Sequence, residues 1–164
     1  MPTHKSVHLM HQGRMHFLAE PSSGHPYAFD TRESNQGGSP VETVVAALAA
    51  CSAMDVISIA VKKRQAISRY EIHADADQRD EYPQVFTSIT LVHEVWGEDL
   101  SEAAIRRSIE LSATKYCPVN AMLSAGATVV HHRYRLHSTG ERPLETEGLV
   151  VSTGPYQRPD IITR

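Results

Sequence analysis

Two cysteines, Cys51 and Cys117, are the side chains of this 164-residue chain best placed by type to do chemistry. A thiol attacks only as thiolate, a form that a helix start or a nearby cation favours and an apolar setting opposes. Cys117 directly precedes Pro118, where a helix begins, whereas Cys51 lies midway along an apolar helical stretch. If Cys51 reacts, a basic group must reach it. For each thiol the plain reading is a small buried hydrophobe. Helical phase places Ala47, Leu48, Asp55 and Ser58 near the face of Cys51. Glu42 is nine residues earlier, about 13 Å of rise and half a turn out of phase. It serves only by holding another group, or simply as an acid in a first helical turn. Ten histidines are many for the length, but no H-E-x-x-H or Cys-x-x-Cys spacing occurs, so no metal and no cofactor are expected. Dinucleotide, phosphate-loop and serine-hydrolase signatures are absent as well.

The elements that must position these thiols follow from the patterning. Residues 5–18 alternate as two short strands around Gln12-Gly13, and 27–30 suit a third. After the loop 35–40, Ser39 as cap, Pro40 at the first helical position and Glu42 in the first turn start a helix that runs to about Lys63. From Thr43 to Val61 its only charge is Asp55, so it is apolar nearly all round and predicted to be a buried core helix. A membrane span is the poorer reading, given Asp55 and the many alanines. Segments 70–76 and 86–96 alternate as an antiparallel pair. Ser101 caps an amphipathic helix, interrupted at Tyr116-Cys117-Pro118; a short helix 119–124 and a strand 127–137 complete the pattern. Residues 1–137 are thus expected as one domain, and 138–164, with scattered Gly and Pro, as a weakly structured extension.

The chain is 41% hydrophobic with a formal charge of −3, which fits a soluble globular protein. No Lys/Arg run exceeds Lys62-Lys63-Arg64, so neither nucleic acid nor a membrane is an expected partner. The first residues, polar in four of six positions, lack the apolar run of a secretory leader. The expected location is the cytoplasm, where two cysteines are more often free, buried or catalytic than a structural bridge.

Three segments taken together, 38–58 (Gly-Ser-Pro-Val-Glu through Ala-Ala-Cys51-Ser-Ala-Met-Asp-Val), 82–87 (Tyr-Pro-Gln-Val-Phe-Thr) and 112–123 (Ser-Ala-Thr-Lys-Tyr-Cys117-Pro-Val-Asn), resemble the OsmC/Ohr family. The Cys-Ser-Ala-Met-Asp-Val stretch resembles its OsmC-like branch more than Ohr. The resemblance implies an α+β fold, an intertwined homodimer with long central helices wrapped by sheets, and active sites at the dimer interface. It also implies a reaction: Cys51 attacks an organic hydroperoxide and becomes a sulfenic acid, Cys117 condenses with it, and a thiol donor such as dihydrolipoamide reduces the disulfide. Arg32 corresponds to the family's thiolate-holding arginine, with Arg14 as second choice, and Glu42 to its glutamate. In the family the acid directly follows the proline, whereas here Val41 does and Glu42 comes one place later, about 100° around the helix. That departure motivates an alternative expectation, an OsmC-like protein that senses redox state or binds a small apolar ligand without efficient peroxidase activity. A two-thiol metal binder is a third reading.

Overall fold

The structure is a computed structural model and describes residues 4–154. The chain parts into two compact units between Val44 and Val45. In the first, β1 (Val7–Gly13), β2 (His16–Pro21) and β3 (Tyr27–Phe29) form an antiparallel sheet in that order. Gly13 (φ 111°) and Arg14 (φ 51°) make the β1–β2 turn in the left-handed region, which glycine enters without steric penalty. The following loop is tied by Asp30, whose carboxylate accepts from Ser34 Oγ (2.8 Å) and from the N–H groups of Thr31 (2.7 Å) and Gln36 (3.2 Å).

Helix α1 (Pro40–Lys62) leads into the second unit, a four-stranded sheet of β4 (Ala66–Gln78), β5 (Phe86–Glu98), β6 (Val129–Thr139) and β7 (Leu144–Thr153) in sequence order. β4–β5 and β6–β7 pair antiparallel, but β5–β6 pair parallel. Parallel pairing requires the chain to be carried back across the sheet. The carriers are α2 (Glu102–Leu111), a π-turn at Ser112–Tyr116 and α3 (Pro118–Ser124). Period-two alternation buries Ile89, Leu91, His93 and Val95 of β5, and Val130, His132, Tyr134 and Leu136 of β6. Val56 and Ala60 of α1 join Ile105, Ile109, Val95, Tyr134 and Leu136 in one core cluster. Leu48 and Ala49 join Phe86, Ile89, Leu91, Val130 and Cys117 in another. The architecture is α+β, as the resemblance implies.

Two expectations need correction. Helix α1 is not buried all round: Leu48, Ala49, Ser52, Val56 and Ala60 are covered, while Met54 (75% exposed) and Val61 (63%) are not. Its apolar composition supplies two faces where the chain's own sheet covers one. By length and composition α1 alone, among the described helices, would also suffice to cross a membrane. The extension from Ser138 is not weakly structured throughout, because Leu144–Thr153 is a regular strand hydrogen-bonded along β6. Gly148, which reads as a breaker in the sequence, lies against the Tyr134 ring; a Cβ there would stand 3.2 Å from Tyr134 Cε1, so any side chain would press on the ring. The remainder of that extension, 155–164, lies outside the described residues.

Candidate thiol site

Cys51 projects from the middle of α1 and Cys117 from the start of α3, and their sulfurs are 2.8 Å apart, with the Cys117 thiol donating. Cys117 is buried (3% exposed) and Cys51 is half-buried. The sequence accounts for the position of Cys117. Pro118 fits the first helical position, so the residue before it adopts extended backbone (φ −71°, ψ 106°) and becomes the cap of α3. Its Sγ accepts from Asn120 N–H at 3.3 Å. The preceding π-turn is closed by Cys117 N–H donating to Ser112 O at 2.9 Å. Burial, and next the contact with Cys51, push the Cys117 thiol up to about 12. Cys117 is therefore held as thiol at neutral pH.

Beside the sulfurs, Asp55 lies one helical turn beyond Cys51, and its Oδ2 accepts from Ser112 Oγ at 3.0 Å. Ser52 Oγ stands 3.3 Å from Ser112 Oγ and must donate to it, since the Ser112 proton is engaged by Asp55. Ligand atoms of Cys51, Asp55 and Cys117 all fall within 4.8 Å of one another, as do those of Glu71, His73 and Glu94 on the outer face of the sheet. Two thiolates sharing a tetrahedral zinc sit about 3.8 Å apart, given Zn–S bonds near 2.3 Å. The 2.8 Å separation fits a pair poised to bond with each other better than a metal pair. Glu71 is already held by Arg69, and Glu94 by His137 at 2.9 Å.

Arg32 and Glu42 belong to the first unit. Glu42 completes a capping box, accepting from Ser39 N–H (2.9 Å) and Ser39 Oγ (2.8 Å) while Ser39 Oγ accepts from Glu42 N–H (3.2 Å). These Ser39 bonds, with a smaller contribution from the Arg32 charge, hold the Glu42 carboxyl below its ordinary value. The plain capping reading of Glu42 is realised. Arg14 lines a cleft of about 310 Å³ with His16, Asp30 and Gln36.

Sequence reasoning missed a buried polar chain that ends at the thiols. Tyr70 Oη is 2.6 Å from His93 Nδ1, His93 Nε2 is 3.2 Å from His132 Nδ1, and His132 Nε2 is 3.0 Å from Asn120 Oδ1. Asn120 Nδ2 donates to Ala113 O (2.8 Å) and Thr153 Oγ1 (3.0 Å). His93, His132 and Asn120 are fully buried. Burial holds the His93 imidazolium well below its ordinary pKa and brings His132 down to about 4. The available signal is that both histidines occupy inward positions of strands whose other inward residues are mostly Ile, Leu and Val.

The fold and site define a class: α+β proteins in which a long helix and a short one bring two thiols into contact. Within that class the chain belongs to the OsmC-like family, whose family model, described as "OsmC-like protein", matches residues 33–132. It is 41% identical over 115 residues to Protein YhfA of Escherichia coli K12, a match that spans 70% of this chain and 86% of YhfA. Among solved structures it is similar to an OsmC-like protein from Mycoplasma pneumoniae (TM-score 0.68, 16% identity), covering 87% of this chain and all of that one. It is also similar to an organic hydroperoxide resistance protein OsmC from Legionella pneumophila (TM-score 0.56, 16% identity), covering 85% and 97%.

Proposed function

We propose that this protein is a cytoplasmic, homodimeric thiol peroxidase that reduces organic hydroperoxides through Cys51 and Cys117. The observation that carries this reading is the 2.8 Å contact between the two sulfurs, with the buried partner held as thiol. Cys51, the more exposed of the two, is the attacking residue. Its thiolate attacks the distal peroxide oxygen, the O–O bond breaks, and the alkoxide leaves as alcohol after taking a proton, which gives Cys51 sulfenic acid. Cys117 Sγ then attacks that sulfur. Its proton leaves with the departing hydroxide as water, and the Cys51–Cys117 disulfide forms before further peroxide can over-oxidise Cys51. A dithiol such as dihydrolipoamide returns both thiols and is itself oxidised to its cyclic disulfide. The name of the Legionella structure supports the substrate class.

On the family resemblance, Arg32 is the proposed cation for the Cys51 thiolate, with Arg14 as the alternative. Dimerisation is supported by the uncovered face of α1, where Met54 and Val61 lie open to solvent. The test is consumption of cumene hydroperoxide with dihydrolipoamide as reductant. Turnover that is lost in Cys51→Ser supports the reading. Undiminished turnover in Cys51→Ser, or none in the parent, rejects it; disulfide closure without turnover favours redox sensing.

A further inference from the structure

Two imidazoles at fully buried, inward strand positions are an unusual choice. Hydrophobic residues fill the neighbouring inward positions, and a buried polar group is tolerated only when its bonds are made. Here they are made, and in one order. Asn120 Nδ2 faces the Ala113 carbonyl, so it donates and Oδ1 accepts. His132 Nε2 must then carry the proton, which leaves its Nδ1 as acceptor for His93 Nε2–H, and His93 Nδ1 as acceptor for the Tyr70 hydroxyl. The chain runs from β4 through β5 and β6 to the first turn of α3. Three groups, His132 Nε2, Ala113 O and Thr153 Oγ1, thereby fix the Asn120 side chain, and its backbone N–H points at Cys117 Sγ.

We propose that the buried chain Tyr70–His93–His132–Asn120 positions the resolving thiol, with Asn120 N–H holding Cys117 Sγ against Cys51 and stabilising the negative charge it carries when it loses its proton in order to attack, and again when it departs as thiolate. His93, His132 and Tyr70 are positioning residues, because they act on the sulfur only through Asn120. The proposal rests on the two-thiol reading above. It concerns the closure step and leaves the peroxide step to Cys51 and its cation.

The two steps are separable by intact-mass spectrometry of the reduced full chain mixed with cumene hydroperoxide. Loss of one hydrogen bond corresponds to roughly tenfold in rate. His132→Leu is expected to form the Cys51 sulfenic acid at the parental rate, close the disulfide about tenfold more slowly, and accumulate sulfinic Cys51. His132→Gln, whose amide can donate to Asn120 Oδ1, is expected to restore most of the closure rate. Parental closure in His132→Leu overturns the proposal, as does equal slowing of both steps or no rescue by glutamine. Where His132→Leu does not fold, His93→Leu, which removes the donor to His132 Nδ1, is read by the same criteria. Should the parent form no sulfenic acid at all, the peroxidase reading falls alone. Diamide, which oxidises a dithiol to a disulfide as it is reduced to the hydrazine, then measures closure directly. The same tenfold slowing supports the positioning role, and an unchanged rate overturns it.

Discussion

Acid should weaken this fold through the buried histidine pair, beginning above the range in which carboxylates ordinarily titrate. An ordinary histidine titrates near 6.5, whereas His132 in the fold takes a proton only near pH 4 and His93 lies well below its ordinary value. The unfolded chain therefore binds more protons than the folded one as pH falls below 6.5, so stability drops with falling pH across the window from 6.5 to 4. For His132 alone, linkage from pH 7 to pH 5 amounts to about 2 kcal/mol, and His93 adds loss in the same direction. His137 opposes it. The bond to Glu94, followed by the one to Glu145, raises its pKa, so its contribution is present at low pH and fades as pH rises through the folded value. Glu94, Glu42 and Asp30 have lowered values, and their contributions disappear only below the carboxylate range. A comparison with His132→Gln isolates the term, because the glutamine keeps a donor for Asn120 and cannot titrate. Urea unfolding followed by Trp96 fluorescence, at one fixed protein concentration, should show the parent losing about 2 kcal/mol more than His132→Gln between pH 7 and pH 5. Equal losses in the two proteins would refute the neutral, buried assignment of His132.

Other outcomes follow from individual contacts. Ser39→Ala removes the hydroxyl half of the capping box at the start of α1 while keeping the backbone N–H bond to Glu42, and should cost about 1 kcal/mol in urea unfolding. If the proposed dimer forms through the uncovered face of α1, Met54→Asp should shift the protein from dimer to monomer in sedimentation velocity. Arg32→Met should slow formation of the Cys51 sulfenic acid while leaving diamide-driven closure at the parental rate, as read by the same mass measurement.

What the sequence makes legible is local. The start of α1 is written in Ser39, Pro40 and Glu42, and those residues form the capping box they predict. The alternation of β5 and the amphipathic stripe of α2 appear where periodicity places them. The thiol pair is legible through resemblance rather than spacing, since no local pattern tells that the middle of one helix meets the start of another. Three features depend on tertiary partners. The π-turn at Ser112–Tyr116 exists because Cys117 N–H reaches Ser112 O. β7 places Gly148 where the Tyr134 ring packs, and a glycine in isolation reads as a break. The histidine chain joins residues of β4, β5, β6 and α3, so His93 and His132 are only two of ten histidines until the strands are registered. The second face of α1 is the converse case, an apolar helix correctly read in composition whose Met54 and Val61 the described residues leave uncovered.

The most direct test of the central claim is a one-equivalent oxidation. The fully reduced protein is treated with cumene hydroperoxide, digested without reductant and mapped by mass. The two-thiol mechanism predicts a Cys51–Cys117 cross-linked peptide, with one equivalent of cumyl alcohol released per disulfide formed. Both thiols remaining free with the peroxide intact would contradict it.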